Sequence, residues 1–198
     1  LELILDPGHG GPDPGAVYAG GTVKEEYLNL VICNRVKSLI ENYHRVLLTR
    51  YWGKKEETSL ADRVKMANGI NGYMKADFFL SVHHNSFSDS NVKGFEVFYT
   101  AGNKNAAGFA ARMYYNINKI SQTADYKYNM REIKGSAGGL YVLNDFYITV
   151  PAVLIELGFG TNAEELAWLT CATGQITLSY AIARTVLEHF WEMQKGTF

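Results

Sequence analysis

Short runs of β-branched and other apolar residues alternate along this chain with longer stretches in which apolar residues recur every three or four positions. That alternation is the pattern of a mostly parallel sheet covered by helices. It predicts strands at Leu1 to Leu5, Arg45 to Thr49, Asp77 to His83, Gly94 to Tyr99, Leu140 to Leu143 and Ala152 to Leu157. Helices are predicted over Glu25 to Glu41, Ser59 to Asn71 with Ser59 as its cap, Lys104 to Ile120 and Gln175 to Met193. The expected fold is therefore α/β, with one central, mostly parallel sheet of about six strands flanked by helices. Ser121 to Gly139 is polar and Gly-containing and reads as an exposed loop. With no internal repeat or linker, the 198 residues suit one domain spanning 1–198.

Composition narrows the function classes. A net charge of −1 offers no cationic footprint for a phosphate backbone, and no apolar window is long enough to cross a bilayer, so neither nucleic acid nor membrane is expected as a partner. No signal-peptide pattern is present, but Leu1 already lies inside a strand pattern and is not an initiator Met, so a processed or trimmed domain is expected. Cys33 and Cys171 lack any CxxC or Cys/His spacing and are expected to be buried free thiols, with a bridge between them the alternative. No heptad pattern appears, and the chain is expected to be a monomer.

Four places carry residues suited to chemistry. Asp6-Pro7-Gly8-His9-Gly10-Gly11 sets a histidine in a turn of glycines at the C-terminal end of the first strand, the edge where open α/β sheets bind ligands. A turn with an incidental histidine reads equally well on position alone. His83 stands where Phe79-Leu80-Ser81-Val82 runs out into polar residues; its neighbour His84 points to the other face of a strand and reads as a groove or packing residue. Glu25 and Glu26 open the first long helix, where acidic residues commonly offset the dipole. Glu156 lies inside the apolar run Pro151 to Phe159, and a carboxylate there is expected to be paired, metal-bound or functional. Two histidines and one glutamate make a three-ligand catalytic metal site with an open fourth position, and the remaining glutamate is then the base.

These segments resemble the zinc-dependent N-acetylmuramoyl-L-alanine amidases typified by bacterial autolysins, sporulation amidases and phage endolysins. The landmarks are Leu5 to Gly11 with Asp13-Pro14-Gly15-Ala16, Glu25 before Leu28-Asn29-Leu30, Leu48-Thr49-Arg50, Ser59-Leu60 with Arg63, Ala67-Asn68, Ser81 to Asn85, and Pro151 to Phe159 with Thr161-Asn162. The resemblance implies Zn2+ held by His9, Glu25 and His83, with Glu25 rather than Glu26 in the ligand frame, and Glu156 as the catalytic glutamate. It implies hydrolysis of the amide between N-acetylmuramic acid and the L-alanine of the stem peptide in bacterial peptidoglycan. The setting it implies is the cell wall or extracellular space, or release from an infected cell if phage-encoded, with a separate wall-binding domain in the full-length protein. Three features depart from the usual pattern: Tyr27 replaces a frequent acidic residue, Asn144 stands where an Arg often follows Val-Leu, and Asn144 to Val150 is longer than typical and could reshape the peptide groove. His84 fills a position usually held by a small residue and could line the cleft. Rival expectations are a non-catalytic wall-binding module on the same fold, or a zinc peptidase cutting within the stem peptide. A glycosidase would need two carboxylates flanking a sugar, which the sequence does not present.

Overall fold

The computed structural model describes residues 1–53, 56–124, 126–136 and 139–196. Six strands form the central sheet: β1 (Glu2–Pro7), β4 (Arg45–Leu48), β5 (Phe78–Asn85), β6 (Phe95–Thr100), β7 (Met130–Ser136) and β8 (Ala152–Phe159). A small antiparallel hairpin, β2 (Val17–Tyr18) with β3 (Val23–Lys24), leads from the first motif into α1 (Glu25–Ile40). The remaining helices are α2 (Leu60–Asn68), α3 (Lys104–Ser121), α4 (Ala163–Thr170) and α5 (Ala172–Lys195). The sheet order is β4-β1-β5-β8-β6-β7, and every pairing is parallel except β6 against β8.

β5 and β8 are central and buried on both faces for most of their length, so their sequences run apolar almost without interruption. On the back face, α1, α3 and α5 close over a large core containing Phe78, Phe95, Phe109, Met113 and Phe190. The front core is smaller. Ile4, Phe79, Ala152 and Leu154 meet Val64 and Ala67 of α2, Val142 and Leu143, and the anchors Ile148 and Val150. Residues two apart on a strand share a face, so each front-face row turns polar towards the strand ends. Ile4 is followed by Asp6, Phe79 by Ser81 and His83, and Leu154 by Glu156; the register places Asp6 beside Ser81 and His83 beside Glu156. The front core thus stops short of the sheet edge, and polar side chains occupy what remains.

Several expectations are corrected. Ser121 to Gly139 is not a loop throughout: Met130–Ser136 is the edge strand β7, paired to β6. Nearly all of its residues are exposed, so it carries no alternating apolar face to betray it. Leu140 to Leu143 is not a strand; Tyr141–Leu143 forms a single 3-10 turn whose Val142 and Leu143 plug the front core. The helix α4 was not predicted, although Asn162 caps it by accepting from the amides of Glu164 and Glu165 at 3.1 Å. Cys33 is a buried free thiol, whereas Cys171 is exposed at the start of α5. Ser59 caps α2 as expected, accepting from the Asp62 amide at 3.1 Å.

Candidate active site

β1 ends at Pro7, and the chain turns through Gly8 and His9, where His9 takes a left-handed φ of 61°. Such a conformation is uncommon for a residue with a side chain, and surrounding structure must hold it. Two buried arginines do so. Arg50 donates to the carbonyls of Pro7 and Gly8, both at 2.9 Å, and to that of Glu26 at 2.7 Å. Arg63, reaching across from α2, donates to the carbonyls of Pro7 at 2.9 Å and His9 at 2.7 Å while pairing with the buried Asp6 carboxylate. Burial alone would raise the Asp6 carboxyl, but Arg63, Thr49 and Ser81 together hold it below its ordinary 3.8.

The structure brings His9, Glu25 and His83 to one point. One donor atom from each lies within 4.8 Å of the others, a His/Glu group among the described residues that could hold a metal ion. Glu25, 4% exposed, sends Oε1 to within 3.2 Å of His9 Nε2 and 3.0 Å of His83 Nδ1. Its other oxygen accepts from the Ala16 amide at 2.9 Å. Glu26 does not share this position; its carbonyl serves Arg50. Two glycines make the approach feasible. His83 packs so closely on Gly8 that a Cβ there would overlap the ring, and at Gly15, with φ of 64°, a Cβ would lie 2.6 Å from His9 Cδ2 and 2.7 Å from Glu25 Oε2.

Asp13 and Asn29 are partners whose roles the sequence did not reveal. His9 Nδ1–H donates to Asp13 Oδ2 at 2.7 Å, which fixes the ring and leaves Nε2 facing Glu25. Asn29, fully buried one turn after Glu25, donates to the Gly8 carbonyl at 3.1 Å and accepts from His84 Nδ1–H at 2.7 Å. His84 is 1% exposed, points away from His83 and lies against α1, so it packs behind the site and does not line the cleft. Burial pushes its imidazole down to about 4, so it stays neutral. Tyr18 of the hairpin secures the end of β5 by donating to the carbonyls of His84 at 2.7 Å and Asn85 at 3.0 Å.

Electrostatics divides the carboxylates. Burial would lower the His9 imidazole, but Glu25 and Asp13 push it up to about 9, so a proton and a cation compete for the same nitrogen. Burial would raise Glu25, yet the two imidazoles drive it far below the carboxylate range. Glu156 behaves in the opposite way. Burial, reinforced by the charges of Glu25 and Glu96, pushes it well above that range, and its Oε2 has no hydrogen-bond partner among the described residues. Glu156 sits in register between His83 on β5 and Glu96 on β6. Glu96 is itself satisfied by Arg131 Nε and Asn85 Nδ2, each at 2.9 Å. A cleft of about 450 Å³ opens over this edge, walled by His9, His83, Glu57, Leu60, Arg63 and Tyr141.

A strongly ionised carboxylate between two imidazoles, with a proton-retaining carboxyl beside them, suits metal-assisted hydrolysis. The family model described as N-acetylmuramoyl-L-alanine amidase matches residues 3–188. This chain belongs to that family. As an N-acetylmuramoyl-L-alanine amidase it is an enzyme of the peptidoglycan-hydrolase class, in agreement with the resemblance carried by the motifs. The germination-specific N-acetylmuramoyl-L-alanine amidase of Bacillus subtilis is 26% identical over 96% of this chain and 80% of its own length. The endolysin of Bacillus phage SPP1 is 32% identical over 83% of this chain and 57% of its own. Among solved structures, the catalytic domain of CwlV, an amidase from Bacillus (Paenibacillus) polymyxa var. colistinus, superposes with a TM-score of 0.82 at 29% identity, covering 96% of this chain and 97% of that one.

Proposed function

We propose that this amidase cleaves the lactyl amide between N-acetylmuramic acid and the L-alanine of the stem peptide, using Zn2+ held by His9, Glu25 and His83, with Glu156 as the proton carrier. The observation that carries the reading is the meeting of those three donors. Ligands about 2.0–2.1 Å from a tetrahedral zinc stand roughly 3.3 Å apart, and Glu25 Oε1 lies 3.2 Å and 3.0 Å from the two imidazole nitrogens. Nitrogen and carboxylate donors also match zinc chemistry, and Asp13 supplies the outer hydrogen bond that orients His9.

Zinc bound there would supply Lewis acidity, polarising the amide carbonyl and easing ionisation of water towards about pH 7. Glu156 takes a proton from the attacking water and passes it to the leaving amine, because a carboxyl with raised proton affinity can hold that proton between the two steps. Arg50 and Arg63 keep the Pro7–His9 turn from relaxing, so the His9 ring needs no reorganisation when substrate arrives. The site of action that follows is the bacterial cell wall.

Digestion of purified sacculi, with and without chelator, tests the reading. The expected products are stem peptides with a new N-terminal alanine and glycan strands without new reducing ends. Activity should disappear with chelator and return with Zn2+. Cleavage that persists in chelator would remove the zinc assignment, and fragments cut between amino acids would instead identify a stem-peptide peptidase.

A further inference from the structure

Asn144 to Val150, the longer segment before β8, is not a slack loop. The Asn144 carbonyl accepts from the amides of Tyr147 at 2.9 Å and Ile148 at 3.0 Å, and its side chain accepts from the Phe146 amide at 2.9 Å. Asn68, at the end of α2, donates to the Tyr147 carbonyl at 2.8 Å and accepts from the Thr149 amide at 2.9 Å. Ile148 and Val150 then bury themselves in the front core. The turn is held at both ends and in its middle, yet it presents Phe146 at 84% exposure.

That ring is not isolated. Phe146 meets Tyr147 edge-on, with centroids 5.4 Å apart, and Tyr147 stacks on Tyr141 at 4.5 Å with the planes 16° apart. Tyr141 is a wall of the catalytic cleft. Three aromatic rings therefore run as one surface from the cleft down the front of the molecule. Between Leu60 at the cleft and Asn68 beside Tyr147 the helix rises about 12 Å, so the far end of this surface meets parts of a substrate well removed from the scissile amide.

We infer that Tyr141, Tyr147 and Phe146 form a stacking subsite for the sugar rings of the glycan strand, beyond the sugar that carries the cleaved amide. This rests on the amidase reading above. A pyranose ring shows an apolar C–H face that packs on an aromatic ring, and a backbone already fixed reduces the ordering cost of binding. Charge separates the glycan from the other half of the substrate. Leu140 to Val150 contains no Lys, Arg or His and places one acid, Asp145, beside Phe146. The carboxylates of a stem peptide find no cation there, whereas a glycan whose lactyl groups are tied up in amides is neutral.

The test compares wild type with Phe146→Ala, Phe146→Tyr and, as a control on α5, Trp191→Ala, which replaces an exposed ring far from the cleft wall. Each is titrated with a peptide-free glycan tetrasaccharide whose lactyl carboxyls are capped as methyl esters, so that it is neutral like the amidated strand, and with free stem peptide, and assayed for amide cleavage on polymeric strands and on a single muramyl peptide. Phe146→Ala should weaken glycan binding and lower kcat/KM on the polymer by about 2- to 10-fold, with the muramyl peptide unchanged. Phe146→Tyr and Trp191→Ala should behave as wild type. Equal losses on both substrates, no loss on either, or a loss confined to stem-peptide binding would overturn the inference. Should wild type cleave neither substrate, the amidase reading falls, while the glycan titration still decides the platform.

Discussion

The two faces of the sheet are built to different rules. Behind it, three helices bury phenylalanines and aliphatic side chains against strand rows that are apolar for nearly their whole length, β5 closing with the buried His84. In front, α2 and one 3-10 turn cover only the first part of each strand, and from Asp6, His83 and Glu156 onward the same rows carry groups that burial penalises. The rear face holds the fold together, and the front uses the rigidity so obtained to keep unfavourable chemistry in place. Substitutions on the two faces should therefore separate stability from catalysis.

The largest separation is expected at Glu156. Glu156→Gln removes the proton carrier and should lower the rate of amide release by about 100- to 10,000-fold. Its melting temperature should not fall, because the neutral amide carries no charge for burial and the neighbouring Glu25 and Glu96 carboxylates to oppose. A steep loss of stability would put Glu156 on the wrong side of the comparison. The mirror experiment is Phe109→Ala, whose ring lies 4.4 Å from Phe78 and 5.1 Å from His189 in the rear core. It should cost about 3–5 kcal/mol of unfolding free energy, read as a lower urea midpoint, with kcat nearly unchanged where the variant remains folded.

Asp13 sharpens the contrast within the front face. It lies at the surface and contributes little to packing, but it fixes the His9 ring. Asp13→Ala should weaken Zn2+ affinity by about 10- to 100-fold in a competition titration, with little change in metal-free stability. The smallest effect concerns Asp6, a front-face group that serves the fold. Its folded pKa lies below the ordinary 3.8, so its contribution is complete above that value and is lost as pH falls through the folded pKa. Urea midpoints measured from pH 5 down to pH 2.5 should therefore drop less steeply in Asp6→Asn than in wild type. An equal slope would show that Asp6 does not carry the acid sensitivity.

The same contrast explains what could be read in the sequence. β1, β5 and β8 were legible because both of their faces are buried, and α1, α3 and α5 because each turns a regular apolar stripe to the rear core. β7 was invisible because an exposed edge strand needs no apolar face, and Leu140 to Leu143 misled because the front core takes its apolar residues from a turn. In the site, His9 and His83 stood out as polar residues at the ends of apolar runs, and Glu156 as a carboxylate embedded within one. Glu25 was masked by the ordinary preference of helix starts for acids and needed the family frame. Asn29 acts through hydrogen bonds to Gly8 and His84, far away in sequence, and Asp13 acts on His9 within the irregular turn after β1, where no helical or strand period announces the contact.

The three donors come from the end of β1, the start of α1 and the end of β5, so no short piece of the chain can chelate on its own. An ion captured there acts as a rivet through three segments that otherwise meet only after folding. If zinc is that ion, as proposed above, its occupancy would set how long the polypeptide survives heat and proteases as well as how fast it works.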